Sequence, residues 1–298
     1  MLSILIPVYN FNCSKLCLDL LEQANKIPTE FEILVYDDCS TIKDCRNSGL
    51  KDIEGVVYKE LPSNLGRSKI RNLMAKEAKG DYLLFLDCDG AIASRNFLEL
   101  YYKHRDTADV ICGGTIYPKR SDIRQNEYLH WLYGNKREAG VNSSKSKNFK
   151  TNNFLIKKKV FETNCFDEEI VGYGHEDTIF GLELKKKGYS FSVIKNPIIH
   201  IGLVDAQSFL NNTCNSIENL TKIIGKKQYK IEDFFDIRLV KAYYDIEKLG
   251  LKKIFAFIYR SFHSIMEKNL KSTHPNLNIL DLYKLSYYCF LKVYINNN

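Results

Sequence analysis

The stretch Asp81-Tyr82-Leu83-Leu84-Phe85-Leu86-Asp87-Cys88-Asp89-Gly90 decides how this chain is read. A short run of apolar and aromatic residues, the length of a strand, runs into two acids and a glycine. Along an extended chain, alternation would put Asp87 and Asp89 on the same side. Two carboxylates so placed can share a hard divalent cation, or one can hold the cation while the other bonds a ribose hydroxyl. Mg²⁺ and Mn²⁺ favour oxygen ligands and draw many of them from phosphate. The competing reading is a solvated turn at a strand end, because Asp and Gly both favour turns.

The same strand-then-acid pattern recurs on either side. Residues 2–8 form a β-rich run that ends at Tyr9-Asn10, and residues 31–36 form a second that stops at Asp37-Asp38. Residues 56–61 and 109–117 also read as strands. Between them, 16–24, 66–78 and 96–104 carry apolar residues at helical spacing. Strands alternating with helices predict a mostly parallel α/β sheet covered on both faces. In such a sheet ligands sit beyond the carboxyl ends of the strands. Tyr9-Asn10, Asp37-Asp38 and Asp87–Asp89 therefore converge on one edge. Residues 118–150 are polar and rich in Lys, Arg, Ser and Asn, which predicts a long mobile loop. Strand character returns at 151–156, a helix is expected over 176–186, and the pattern from about 205 onward is helical.

Four further groups carry chemistry. Asp38, in Asp37-Asp38-Cys39-Ser40, can accept a nucleobase N–H or cap a helix. Asn64-Leu65-Gly66 allows a tight turn before Arg71, which reads as a diphosphate ligand or a surface arginine. Gly172-Tyr173-Gly174-His175-Glu176-Asp177 opens a helix, where the acids either supply a general base and a ligand for an acceptor hydroxyl or serve the helix dipole. His200, between apolar residues, is a core histidine unless it faces Asp89. The chain has no phosphate-binding G-x-x-x-x-G-K-[ST], no H-E-x-x-H, no G-x-S-x-G, and no G-x-G-x-x-G after the first strand.

Composition bounds the rest. The 298 residues suffice for one large α/β domain and an appended helical segment, and 45% apolar with 27% charged residues is an ordinary globular mix. Residues 2–8 lack the basic flank and length of a signal peptide. No stretch reaches the roughly 18–20 apolar residues that span a bilayer. Nine cysteines without a C-x-x-C pair suggest reduced thiols in a cytosolic setting, where the sequons at Asn142, Asn212 and Asn219 carry no weight. Of the net charge of +7, most lies in the last quarter, where residues 225–298 hold 13 Lys/Arg against 7 Asp/Glu. There Ile254, Phe257, Ile258, Ser261 and Ile265 share a helical face. Phe255, Tyr259, Phe262 and Met266 widen it, and Lys252, Lys253, Arg260 and Lys268 lie nearby. This fits a helix lying on an anionic membrane, or one packed in the protein or a dimer interface. The aromatics follow helical spacing rather than any nucleic-acid platform, so no nucleic-acid partner is expected.

In order, Ile6-Pro7-Val8-Tyr9-Asn10, Tyr36-Asp37-Asp38-Cys39-Ser40-Thr41, Asn64-x-Gly66 with Arg71-Asn72, and Phe85-Leu86-Asp87-Cys88-Asp89 resemble the family 2 glycosyltransferases of GT-A fold. Thr151-Asn152-Asn153-Phe154, Phe166-Asp167-Glu168 and Gly174-His175-Glu176-Asp177 extend the resemblance to about residue 202. It implies a Rossmann-like catalytic domain over 1–204 and a C-terminal helical extension over 205–298. It implies that Pro7, Tyr9 and Asp38 bind the nucleotide base, that Asn64 and Arg71 approach the nucleotide, and that Asp87 binds ribose. Asp89 would bind Mn²⁺ or Mg²⁺ on the diphosphate, and His200 matches a position that completes this metal site in some relatives. Asp177 would be the catalytic base, with Glu176 beside it on the acceptor. The implied reaction is inverting transfer of a hexose or N-acetylhexosamine from a nucleotide-sugar, chiefly a UDP-sugar, to a glycan or lipid-linked acceptor in polysaccharide synthesis. The implied location is cytoplasmic, peripheral on the inner face of the membrane. The family usually has Gly where this chain has Cys39. Two other readings compete: a catalytically degenerate scaffold subunit, against which the intact acids argue, and a sugar-nucleotide nucleotidyltransferase, which would want a Gly-rich loop after the first strand.

Overall fold

The computed structural model describes residues 1–42, 44–139, 149–226 and 228–295. In chain order the elements begin β1 (Leu2–Val8), α1 (Ser14–Ala24), β2 (Phe31–Asp37), α2 (Cys45–Ser48), β3 (Val56–Glu60), α3 (Arg67–Glu77) and β4 (Tyr82–Leu86). Then come β5 (Gly90–Ile92), α4 (Phe97–His104), β6 (Val110–Cys112), β7 (Thr115–Ile116), α5 (Tyr128–Tyr133), β8 (Asn153–Lys157) and α6 (Lys158–Glu162). The chain continues through α7 (Glu176–Lys186), β9 (Phe191–Val193), β10 (Ile198–His200), α8 (Ala206–Ile224), α9 (Arg238–Lys248), α10 (Lys252–Leu270) and α11 (Leu277–Phe290).

Among the described residues, seven strands form one sheet in the order β3-β2-β1-β4-β8-β6-β9. β1 runs parallel to β2 and β4, β2 to β3, and β6 to β9, while β8 alone runs antiparallel to its neighbours. The apolar runs have the doubly covered character that such a sheet needs. On β1, Leu2, Ile4, Ile6 and Val8 enter the core shared with α1 and α4, whereas Leu5 enters the opposite one. On β4, Leu84 and Leu86 face the first core, and Leu83 and Phe85 face the second with α3, α6 and α7. Chain order reverses about β1, with β2 on one side and β4 on the other. This is the topological switch where open α/β sheets hold ligands beyond the strand ends.

A smaller sheet, β5-β10-β7, sits past β4. It corrects the single strand expected over 109–117. Gly113 and Gly114 break that run: a β-carbon on Gly113 would lie 2.4 Å from the Asn196 carbonyl oxygen, and Gly114 has φ +89°. The chain therefore leaves the large sheet as β6 and enters the small one as β7. The loop expected over 118–150 is also partly replaced, because helical turns at Arg120–Asp122 and Gln125–Glu127, α5 and a π-helical turn at Gly134–Glu138 occupy its first part. Residues 140–148, with Asn142, lie outside the described residues.

The described residues fall into two compact units. The first comprises Met1–Pro118, Arg137–Val171 and Glu176–Gly202, and the second Lys119–Lys136, Gly172–His175 and Leu203–Asn298. In the second, Leu129, Leu210, Met266, Leu270, Leu280 and Tyr283 form the core. α8 starts where Asp205 caps it, its carboxylate accepting from the amides of Gln207 and Ser208. Within this unit His175 has φ +73° and its ring meets the Ser216 hydroxyl at 3.0 Å, while Asn219 donates to the Gly174 carbonyl. No helix among the described residues is long and apolar enough to cross a membrane.

Candidate active site

The site is built at the carboxyl end of β4, within the first unit. Asp87 does not continue the strand. The Gly90 amide donates to the Asp87 carbonyl at 3.1 Å, closing a turn over 87–90. The extended alternation expected for Asp87 and Asp89 is thus replaced by a turn, and the two carboxylates have different partners. Between them, Cys88 packs against the apolar core.

Asp87 Oδ1 accepts from Arg71 Nη2 at 2.7 Å. Arg71 is buried on α3, not a surface arginine, and its Nη1 lies 3.7 Å from Glu176 Oε1. Arg67, one turn earlier on the same helix face, approaches the same oxygen at 3.6 Å. One guanidinium therefore ties the end of β4 to the start of α7, and Glu176 is buried within this pairing. The Arg71 Nε is buried with no hydrogen-bond partner among the described residues.

Asp89 faces β10. Pairing of β10 with β5 sets His200 opposite Gly90, and His200 Nδ1 lies 3.5 Å from Asp89 Oδ1. His200 is thus not a core histidine. Burial works against the charge on both groups, but their mutual attraction prevails. The Asp89 carboxyl is held below its ordinary range, helped by Arg67, and the His200 imidazolium is favoured. The Tyr117 ring packs edge-on against His200 at 5.5 Å. The Ile201 amide donates to the Asp89 carbonyl, and a β-carbon on Gly202 would fall 2.3 Å from Asp89 Oδ2.

Asp177 follows Glu176 at the start of α7. Its Oδ1 accepts from the Thr178 amide at 2.6 Å. It keeps some exposed surface, yet dense surroundings desolvate the carboxyl. That desolvation, followed by the Glu176 charge, raises its pKa to about 6, against the pull of the Thr178 amide and Lys150.

The nucleotide-side candidates lie on neighbouring strand ends. Tyr9 is exposed just past β1, and Pro7 is part-buried within it. Asp38 is buried, and its carboxylate accepts from the amides of Leu65 at 2.6 Å and Gly66 at 2.9 Å. Asn64 Nδ2 donates to the Asp38 carbonyl. These bonds fix the 64–66 turn that starts α3, where Gly66 has φ +80°. Cys39 has φ +58°, a left-handed conformation that favours Gly, and its thiol meets the Pro62 carbonyl at 3.9 Å. Sequence reasoning gave no role to Arg67, Gly202 or Lys150. Spacing of four from Arg71 was a signal for Arg67, and Gly two residues after His200 was one for Gly202. Nothing local marked Lys150.

Residues 3–165 match the family described as glycosyl transferase family 2. The chain is 26% identical to an uncharacterized glycosyltransferase of Haemophilus influenzae over 285 residues, covering 90% of this chain and 97% of that protein. It is 25% identical to the poly(ribitol-phosphate) beta-N-acetylglucosaminyltransferase TarP of Staphylococcus aureus over 228 residues, covering 69% of this chain and 64% of that one. Among solved structures, S. aureus TarS 1-349 in complex with UDP-GlcNAc superposes with a TM-score of 0.50 at 16% identity, covering 98% of this chain and 91% of that one, a likeness of fold. With the mostly parallel sheet, the acids at its switch point and a family match over more than half its length, the chain is a member of glycosyl transferase family 2, a transferase of GT-A fold.

Proposed function

We propose that this chain is an inverting glycosyltransferase that moves a hexose or N-acetylhexosamine from a UDP-sugar to a hydroxyl of a glycan or lipid-linked acceptor. The observation that carries this reading is the chain of contacts Glu176–Arg71–Asp87, with Asp177 next to Glu176 and Asp89 two residues from Asp87. The names of TarP and of the UDP-GlcNAc-bound TarS structure support an N-acetylhexosamine donor and a polymer acceptor.

The donor set suits Mn²⁺ or Mg²⁺. Among the described residues no cluster of three or more His, Cys, Asp or Glu could hold an ion by itself. Asp89 and His200, the latter once the ion displaces its proton, offer two donors, which fits a cation that completes its shell with phosphate oxygens and water. Bound there, the ion would supply positive charge to the diphosphate leaving group.

The protein's own groups do the remaining work. Tyr9 and Pro7 receive the base, with Asp38 and Asn64 holding the turn beside it. Asp87, fixed by Arg71, presents an oxygen to ribose, and Arg71 and Arg67 add positive charge near the phosphates. Asp177 accepts the proton of the acceptor hydroxyl as that oxygen attacks the anomeric carbon opposite the leaving diphosphate. Its raised pKa brings it closer to the hydroxyl it must deprotonate while leaving it mostly ionised at neutral pH. Glu176, buried against two arginines, orients this end of α7. The domain division proposed is catalysis in 1–204 and an accessory helical region in 205–298.

Transfer assays across a panel of UDP- and GDP-sugars with polyol-phosphate and lipid-linked acceptors test the reading. One donor should be turned over with inversion, and Asp177→Asn should lower turnover by roughly 10²–10⁴ while retaining donor binding. Binding of no donor would contradict it.

A further inference from the structure

The last quarter of the chain carries a surface that the transfer chemistry does not use. The sequence made α10 apolar over a wide arc, and the second unit uses only part of it. Ala256, Met266 and Leu270 are buried, and Tyr259 packs among Tyr283, Tyr287 and Phe290 of α11. The opposite side is left to solvent. Ile254 is 55% exposed, Phe257 57%, Phe262 47% and Ile265 66%.

At 100° per residue, Phe257, Ile254, Ile265 and Phe262 fall in one continuous arc of the helix. Lys253 and Arg260 are exposed along the Phe257 edge of that arc, and Lys268 is exposed just inside that edge. Among the described residues, none of the three has an acidic partner. The acid of α10, Glu267, lies beyond this basic row and is engaged by Lys271 at 2.7 Å and by the Tyr283 hydroxyl at 3.1 Å. An apolar band with cations along its edge and no acid within it is the arrangement of a helix lying at a lipid–water boundary. It is a poor self-complementary contact in antiparallel packing, where a two-fold copy would bring Lys253, Arg260 and Lys268 against the same cations.

We propose that this face of α10 docks on an anionic lipid bilayer, with Ile254, Phe257, Phe262 and Ile265 entering the headgroup–acyl boundary and Lys253, Arg260 and Lys268 meeting lipid phosphates. The chain has no helix among the described residues that crosses a membrane. Attachment through this face is peripheral, reversible and salt-dependent. The docking is independent of which sugar is transferred and of whether any is.

Flotation of the full chain with vesicles of phosphatidylcholine alone or mixed with phosphatidylglycerol tests this. Binding is expected to the mixed vesicles and to weaken as salt rises. The triple variant Ile254→Ser/Phe257→Ser/Ile265→Ser should lose flotation. Lys253→Glu/Arg260→Glu/Lys268→Glu should bind the mixed vesicles on the order of 100-fold more weakly, from roughly a fivefold step per lost cation. Both sets are exposed, so circular dichroism and UDP-sugar affinity should remain those of the parent. Absence of flotation with anionic vesicles overturns the proposal, as does equal binding by the parent and both variants. A parent that elutes as a dimer without binding vesicles, and becomes monomeric in the serine variant, overturns it in favour of a second copy.

Discussion

Gly202 lies so close to Asp89 that a β-carbon there would sit 2.3 Å from the Asp89 Oδ2 and 2.6 Å from its Cβ. Any side chain at 202 must displace the Asp89 carboxylate from the position it holds beside His200 or shift its own backbone. Gly202→Ala should therefore weaken metal-dependent UDP-sugar binding by roughly 10- to 100-fold, the range seen when a metal ligand loses its outer support. Titration calorimetry with Mn²⁺ measures this. An unchanged affinity would mean that Asp89 does not contribute to the donor site.

Arg71 makes a second prediction. It is 3% exposed and joins Asp87 to Glu176, itself 4% exposed. Arg71→Ala leaves Glu176 buried with the 3.6 Å contact to the half-exposed Arg67, a loss of about 3–5 kcal/mol. Arg71→Lys cannot reach both acids with one planar group and should also destabilise. Urea unfolding reads both, and a loss below about 1 kcal/mol for the alanine variant would show that the pairing is not structural.

Much of this is legible in the amino-acid sequence. The strands that end in Asp37 and Asp87 and the helices between them follow from apolar runs and spacing. The turn at 87–90 is not, because Asp-x-Asp-Gly suits both an extended end and a turn. Nor is the position of His200, which depends on β10 pairing with β5 over a hundred residues away in sequence. The split of 109–117 rests on Gly113, whose crowding by Asn196 and Tyr101 only packing reveals, and on Gly114, whose φ is +89°. Arg71 read as a surface group or a diphosphate ligand because its burial is tertiary.

Asp177 sets the pH response. Folded, it holds its proton to about 6, against an ordinary 3.8. The native state thus binds more protons between these values. The stability that protonated Asp177 contributes is full below 3.8 and is lost as pH rises through about 6. Activity runs the other way, since a base must be ionised. The rate of transfer should fall as pH drops through about 6, and Asp177→Asn should lower kcat by roughly 10²–10⁴ while flattening the stability difference. A rate profile flat from pH 5 to 8 would remove Asp177 from the role of base.

Cys39 predicts a backbone effect. At φ +58°, Cys39→Gly should cost little stability, whereas the β-branched Cys39→Val should cost roughly 1–2 kcal/mol. Thermal unfolding of the two variants distinguishes them, and equal midpoints would mean that this loop relaxes freely.

The most direct test of the central claim is calorimetric binding of UDP-sugars with Mn²⁺ and with EDTA, for the parent chain and Asp89→Ala. The account predicts that at least one UDP-sugar binds with Mn²⁺ and that EDTA or the substitution removes that binding, with the fold intact by circular dichroism. Equal affinity in all four conditions, or no binding in any, would contradict it.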